Sequence, residues 1–339
     1  MPEVKNRPEG SNWGEFGPDD VYGRMNLLTP ERRTAALAEA KLGKVFCLSH
    51  PMELPGKQVL NGGRKPPVHH PVLRDGHVDF NLEVSKTSKK GATDVSSDEC
   101  VMLYTQYSTH WDGFSHKGCM FDADGDGVAE KRFYNGYTIV DDDGQGLYGE
   151  LGARHIGIET MAETCVQGRG VLVDLYRYYG EERVEVTHKQ FMEILEKDNV
   201  VIEEGDILCL HTGLGKLIRD ADGNPPESLR TACAVLDGRD DDLLQWITDS
   251  GISAIAADNL AVERSSTLAM PGDGCHTGPN LPLHSHCIFK LGIHLGELWY
   301  LTELADWLHE NNRNRFLLTA PPLRLTGAAG SPVTPVATV

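Results

Sequence analysis

Apolar positions in the second half of the chain fall into short continuous runs separated by amphipathic windows. Gly170-Val-Leu-Val-Asp-Leu175, Asp206-Ile-Leu-Cys-Leu210 and Ile252-Ser-Ala-Ile-Ala256 are apolar without alternation, the pattern of strands covered on both faces. The intervening windows 187–195, 240–246 and 301–308 read as helices, and Thr187 suits the N-cap of the first. Strand and helix alternating at this spacing predict an α/β fold with crossover units and a mixed or parallel sheet. The first half has a different pattern. Thr29-Pro30-Glu31 opens a helix expected to run to Gly43, Val45-Phe-Cys-Leu48 reads as the first strand, and residues 51–95 are polar with repeated Gly and Pro. That stretch predicts long loops with a hairpin. The expected organisation is an N-terminal arm and helix over 1–44, a single domain over 45–325, and an extended tail over 326–339 lying along a neighbouring surface or subunit.

Composition narrows the function. With 339 residues, 40% of them hydrophobic, the chain can bury a sizeable core. Its 32 basic and 50 acidic side chains give a net charge of −18, which disfavours nucleic acid and anionic membranes as partners. The N-terminus lacks the apolar stretch of a secretory signal, and no run approaches the roughly 18 apolar residues of a membrane span, so a cytoplasmic location is expected. The eight cysteines form no C-x-x-C pair and are expected to be reduced.

Chemically able residues concentrate in Gln106-Tyr-Ser-Thr-His-Trp-Asp-Gly-Phe-Ser-His116. His110 and Asp112 are two apart, so an extended segment points both to one face, where imidazole nitrogen and carboxylate oxygen suit zinc or manganese. Gln106 shares their parity. His116 lies beyond a glycine-containing turn and is better placed as a proton carrier. A second cluster comprises His284 and His286 in Pro282-Leu-His-Ser-His286, with His294 and Glu297 in Gly292-Ile-His-Leu-Gly-Glu297; a helix over 283–292 and a short strand are expected to bring Glu297 back to the histidines. Each cluster is also readable as ordinary surface or core polar residues.

Other motifs fail at their informative positions. Asp122-Ala-Asp-Gly-Asp-Gly127 opens like a calcium loop, but Phe133 stands where the bidentate glutamate belongs, so an acidic turn is expected. The glycines of 144–146 and 271–274 lack the lysine of a phosphate loop, the acidic runs 141–143 and 240–242 read as solvated faces, and no serine occupies a G-x-S-x-G elbow.

The first cluster resembles the signature H-x-G-T-H-x-D-x-P-x-H of the metal-dependent cyclase-like hydrolases, a family that includes kynurenine formamidases, isatin hydrolases and trans-dienelactone hydrolase relatives. Gly168-Arg-Gly-Val-Leu-Val-Asp174 is similar to its G-R-x-V-L-x-D strand and Gly205-Asp-Ile-Leu208 to its G-D-x-x strand, while His284, thirteen residues before Glu297, resembles its closing pair. Three positions depart: Gln106 replaces the first ligand histidine, Ser108 the glycine and Phe114 the proline. His211 also stands where an arginine is common before Thr212-Gly213. The resemblance implies a swivelling β/β/α cyclase-like fold with a mixed sheet and flanking helices, a homo-oligomer (dimer or tetramer), and hydrolysis of a small amide, lactam or lactone. It implies metal ligation by His110, Asp112, Gln106 and His284, Glu297 completing the site, and catalytic roles for His116 and Glu297. Trp111, Phe114 and Tyr107 are the candidate walls of a substrate pocket. A metal-dependent cyclase or dehydratase, or a non-catalytic binding protein of this fold, are the alternatives.

Overall fold

The computed structural model describes residues 4–140, 152–264 and 278–339. Its centre is a nine-stranded mixed sheet. In chain order the strands are β1 (Val45–Cys47), β2 (His110–Asp112), β3 (Gln167–Asp174), β4 (Ile207–His211), β5 (Ala254–Ala257), β6 (His294–Glu297), β7 (Arg315–Thr319), β8 (Gly330–Pro332) and β9 (Val336–Thr338). They lie side by side as β1-β9-β7-β3-β4-β5-β6-β2-β8, with β3 to β6 parallel and the remaining pairings antiparallel.

Side-chain alternation explains why the middle strands are apolar throughout. Val171, Val173, Leu208, Leu210, Ile255 and Ala257 enter one core, and Leu172, Ile207, Cys209, Ala254 and Ala256 enter another on the opposite face. The first core is closed by helices His188–Lys197, through Phe191 and Ile194, and Asp241–Ser250, through Leu243 and Ile247. Thr187 and Gln190 form a reciprocal capping box on the former, and the Asp240 carboxylate accepts from the Asp242 and Leu243 amides at the start of the latter. Helix Thr302–Glu310 closes the second core through Leu304, Ala305 and Leu308.

The early helix is shorter than expected, Pro30–Leu37, with Thr29 as its cap. It ends because the chain must turn into the sheet: the Leu42 amide already donates to the carbonyl of Val339. The arm before it packs on the body, with Trp13 buried and donating to the Phe289 carbonyl, and Arg24 donating to the carbonyls of Ile247, Thr248 and Ile252 at the end of helix Asp241–Ser250. Residues 66–102 form three short two-stranded ribbons, where one hairpin was expected.

The tail is part of the sheet: β9 sits between β1 and β7 and β8 pairs with β2, so strands after residue 325 complete it. The prolines fit because Pro332 ends an edge strand, where a missing N–H breaks no ladder. The seven cysteines among the described residues are free, and no described helix is long and apolar enough to cross a membrane.

Candidate metal centre

The pleat of β2 sends His110 and Asp112 to one face and Trp111 to the other. On the adjacent antiparallel β6, Glu297 stands directly opposite His110. Pairing between strands distant in sequence therefore assembles the site. His110 Nε2 lies 3.6 Å from Asp112 Oδ1 and 3.7 Å from Glu297 Oε2. The His110 Nδ1–H donates to the Ser108 carbonyl at 2.7 Å, which leaves the lone pair on Nε2. That atom and Asp112 Oδ2 are buried without a hydrogen-bond partner.

His284 enters from the turn Pro282–His284, which continues into a π-helical segment, Ser285–Lys290, instead of the regular helix expected. Glu263 fixes it. One carboxylate oxygen of Glu263 accepts from the His284 backbone amide at 2.8 Å and lies 2.9 Å from Nδ1, and the other accepts from the Leu283 amide at 3.0 Å. The opposite ring nitrogen, Nε2, is thereby aimed at Glu297 Oε1, 3.2 Å away, and Asp112 Oδ2, 3.8 Å away. Burial disfavours a charged His284, but its hydrogen bonds to Glu263 and Glu297 outweigh it and push its pKa up to about 10. Burial likewise works against a charged Glu297, yet the His284 hydrogen bond and the charges of His284 and Arg64 hold its carboxyl well below the usual range.

Gln106 and His116 form the rim. The Gln106 side-chain nitrogen donates to Asp112 Oδ1 and lies 3.0 Å from His116 Nδ1. Gly330, opposite Asp112 on β8, makes this possible, since a Cβ there would come within 2.8 Å of Gln106 Cγ. The amide thus presents its nitrogen to Asp112 and clamps two neighbours. His116 Nε2 is 3.8 Å from Asp112 Oδ2, and burial, assisted by His284, holds the His116 pKa below the ordinary histidine value against the opposing pull of Asp112 and Glu297.

The donors fit a divalent cation. His110, Asp112 and Glu297 offer ligand atoms within 4.8 Å of one another, as do Asp112, His116 and His284. The partnerless His110 Nε2 and Asp112 Oδ2 belong to these sets, a costly arrangement for buried polar atoms unless a ligand satisfies them.

Other expected site residues lie elsewhere. Trp111 packs against Trp299 at 5.0 Å in the second core and donates to the Ala320 carbonyl, so it is no pocket wall: strand alternation turns it away. Phe114 is also core, stacked on His294 at 4.0 Å and against Tyr134 at 4.7 Å. Tyr107 does border a cleft, shared with Gln106, Arg64 and Leu298, and its hydroxyl donates to the Lys57 carbonyl. His286 meets Thr248, His294 donates from Nδ1 to the Asp112 carbonyl, and His211 pairs with Asp174 at 2.8 Å. Asp122, Asp124 and Asp126 converge in an acidic turn whose Asp122 carboxylate accepts from the amides of Gly125, Asp126 and Gly127. Residues 141–146, 271–274 and Cys275 lie outside the described residues.

Sequence reasoning missed Glu263, which is buried and 21 residues before His284, with no motif linking them. Gly238 makes room for it, since a Cβ there would collide with the Glu263 carboxylate.

A family model described as Putative cyclase matches residues 46–264, the greater part of the chain. The chain belongs to the cyclase family. A crystal structure of a novel cyclase is 29% identical, covers 99% of this chain and 100% of its own, and superposes with a TM-score of 0.76. Isatin hydrolase A from Labrenzia aggregata, bound to benzyl benzoate, is 15% identical, covering 87% of this chain and 93% of its own with a TM-score of 0.54. Isatin hydrolase A from Ralstonia solanacearum is 15% identical, covering 91% and 97% with a TM-score of 0.53. At that identity these two share the fold with the cyclase-family chain. No curated protein matches the sequence.

Proposed function

We propose that this cyclase-family chain is a metal-dependent hydrolase that cleaves the C–N or C–O bond of a small amide, lactam or lactone, with zinc or manganese as its ion. The observation that carries this reading is the pair of buried, partnerless lone-pair atoms, His110 Nε2 and Asp112 Oδ2, facing the same space as Glu297 and His284. His110, Asp112, Glu297 and His284 would hold the ion. Bound there, a divalent cation supplies a Lewis acid for the scissile carbonyl and a lower pKa for the attacking water. Mixed imidazole and carboxylate donors suit zinc or manganese better than calcium.

The chain's own side chains manage orientation and protons. Ser108 fixes the His110 tautomer and Glu263 the His284 orientation, so both rings are set before substrate arrives. Gln106 holds Asp112 and His116 together from the rim. His116 is the proton carrier: its depressed pKa leaves the ring neutral near pH 7 and able to accept. The imidazole would take the water proton and return it to the leaving amine or alkoxide.

The test is product analysis. Purified enzyme supplied with zinc or manganese is incubated with a panel of aryl formamides, lactams and lactones, and products are read by mass spectrometry. A product heavier than its ring-containing substrate by one water, or a released formate, is expected. A product lighter by one water would identify a cyclase or dehydratase instead, and no turnover across the panel with metal bound would contradict the hydrolase reading.

A further inference from the structure

Residues 64–104 leave the body as an arm. Its first strand, Val68–Pro71, pairs antiparallel with its last, Glu99–Met102, and all eight of these residues are exposed. Neither strand pairs with any other among the described residues. The tip is ordered by its own contacts: Asp79 is buried, ion-paired with Arg74 at 2.7 Å and accepting from the Ser96 hydroxyl at 2.6 Å, and Leu82, Val84 and Thr87 are buried as well. Outside that small centre, Leu73, Val78, Phe80, Val95 and Met102 are each more than half exposed. A lone two-stranded ribbon is marginal in water, and exposed apolar side chains gathered on one are the mark of an interaction surface.

The two edges of the ribbon differ. Val68–Pro71 follows Pro66 and Pro67 and ends in Pro71, residues that cannot donate to a ladder, so that edge is blocked. Glu99–Met102 has no proline, and its outer edge is open among the described residues. Charge narrows the partner. Residues 64–104 hold six basic and six acidic side chains, so the whole net charge of −18 lies on the rest of the chain. Lys86, Lys89 and Lys90 stand at the tip, with no acid between residues 84 and 93. A positive, apolar tip and a negative body are complementary, and one chain carries both.

We propose that the arm docks on a second copy of this chain: the open edges of Glu99–Met102 pair antiparallel about a twofold axis, and each lysine-bearing tip lies against the acidic body of the other copy. A strand edge is self-complementary in that arrangement, because antiparallel pairing is unchanged when the two strands are exchanged. Strand direction fixes the rest. Glu99–Met102 runs from tip to root, so antiparallel pairing sets each tip beside the root of the other arm. That root is the rim of the metal centre, where Arg64 Nη1 donates to the Gln106 carbonyl at 2.7 Å. The arm is also long enough, since a standard interface takes roughly 20–30 residues a side.

The test is sedimentation equilibrium of the full chain across micromolar concentrations, wild type beside Met102→Asp, at the open edge, and Phe80→Asp, at the tip. Both side chains are exposed in the single chain, so each variant is expected to fold, which far-UV circular dichroism checks. Should either unfold, Val95→Asp takes its place. The wild type is expected to form a dimer or an even multiple of one, and each variant to associate about tenfold or more weakly, as when an unpaired charge is forced into an apolar contact. A monomeric wild type overturns the proposal. So does an association constant that either variant leaves unchanged, which would place the contact between copies elsewhere on the body.

Discussion

One carboxylate oxygen of Glu263 touches His284 twice, accepting from its backbone amide at 2.8 Å and lying 2.9 Å from Nδ1. Main chain and ring are thereby locked together, and Nε2 has one direction left, toward Glu297 and Asp112. Such a partner orients a metal ligand and raises its basicity. Glu263→Gln is expected to weaken zinc affinity roughly 10- to 100-fold with the fold retained. Zinc titration beside far-UV circular dichroism checks this, and unaltered affinity would show that His284 needs no orienting partner.

His116 and His110 should separate cleanly. His116→Ala is expected to keep the metal and lose about a hundred- to ten-thousand-fold in kcat, the contribution of a positioned proton carrier. If His116→Ala instead loses its metal as His110→Ala does, His116 is a ligand.

Gln106 replaces a histidine of the family signature, and its amide bridges Asp112 and His116. Gln106→Ala removes hydrogen bonds to a charged and a polar partner, so kcat should fall about ten- to a hundredfold while the metal stays. Steady-state kinetics with metal analysis of the same sample tests both halves.

His50 supplies a pH dependence of stability. Burial, assisted by the Arg219 charge, drops its pKa from 6.5 to about 3 in the folded chain, and both ring nitrogens lack partners. The unfolded chain therefore binds more protons below pH 6.5, so stability is full above that pH and falls as pH drops toward 3, by up to about 1.4 kcal/mol per pH unit from this residue. Urea unfolding between pH 7 and 4.5 should show a shallower acid slope in His50→Phe than in wild type. Equal slopes would mean that His50 is not kept neutral.

Gly296 tests the packing behind the site. A Cβ there would lie 2.8 Å from Trp299 Nε1 and 2.9 Å from the Trp111 ring. Gly296→Ala is expected to destabilise by roughly 1–3 kcal/mol, as overpacking does, read by chemical denaturation.

The parts of this structure that were legible in the sequence are those set by local rules. Thr187 and Thr29 cap the helices they precede, and the apolar runs around 171, 208 and 255 are strands buried on both faces. His110 and Asp112 share a face because strand side chains repeat every two residues. Parity also turns Trp111 into the core, a consequence obscured by its place between His110 and Asp112. Glu263 was illegible because only tertiary folding brings it to His284. The strands of the tail are illegible for a related reason: its two prolines suggest an extended segment, and the space between β1 and β7 is visible only once distant strands have paired.

The central claim is that His110, Asp112, Glu297 and His284 hold a catalytic divalent ion. Elemental mass spectrometry of the purified protein, beside His110→Ala, tests it most directly. The account predicts at least one zinc or manganese per chain, lost in the variant. Protein that holds no metal, and takes up none when zinc or manganese is added, would contradict it.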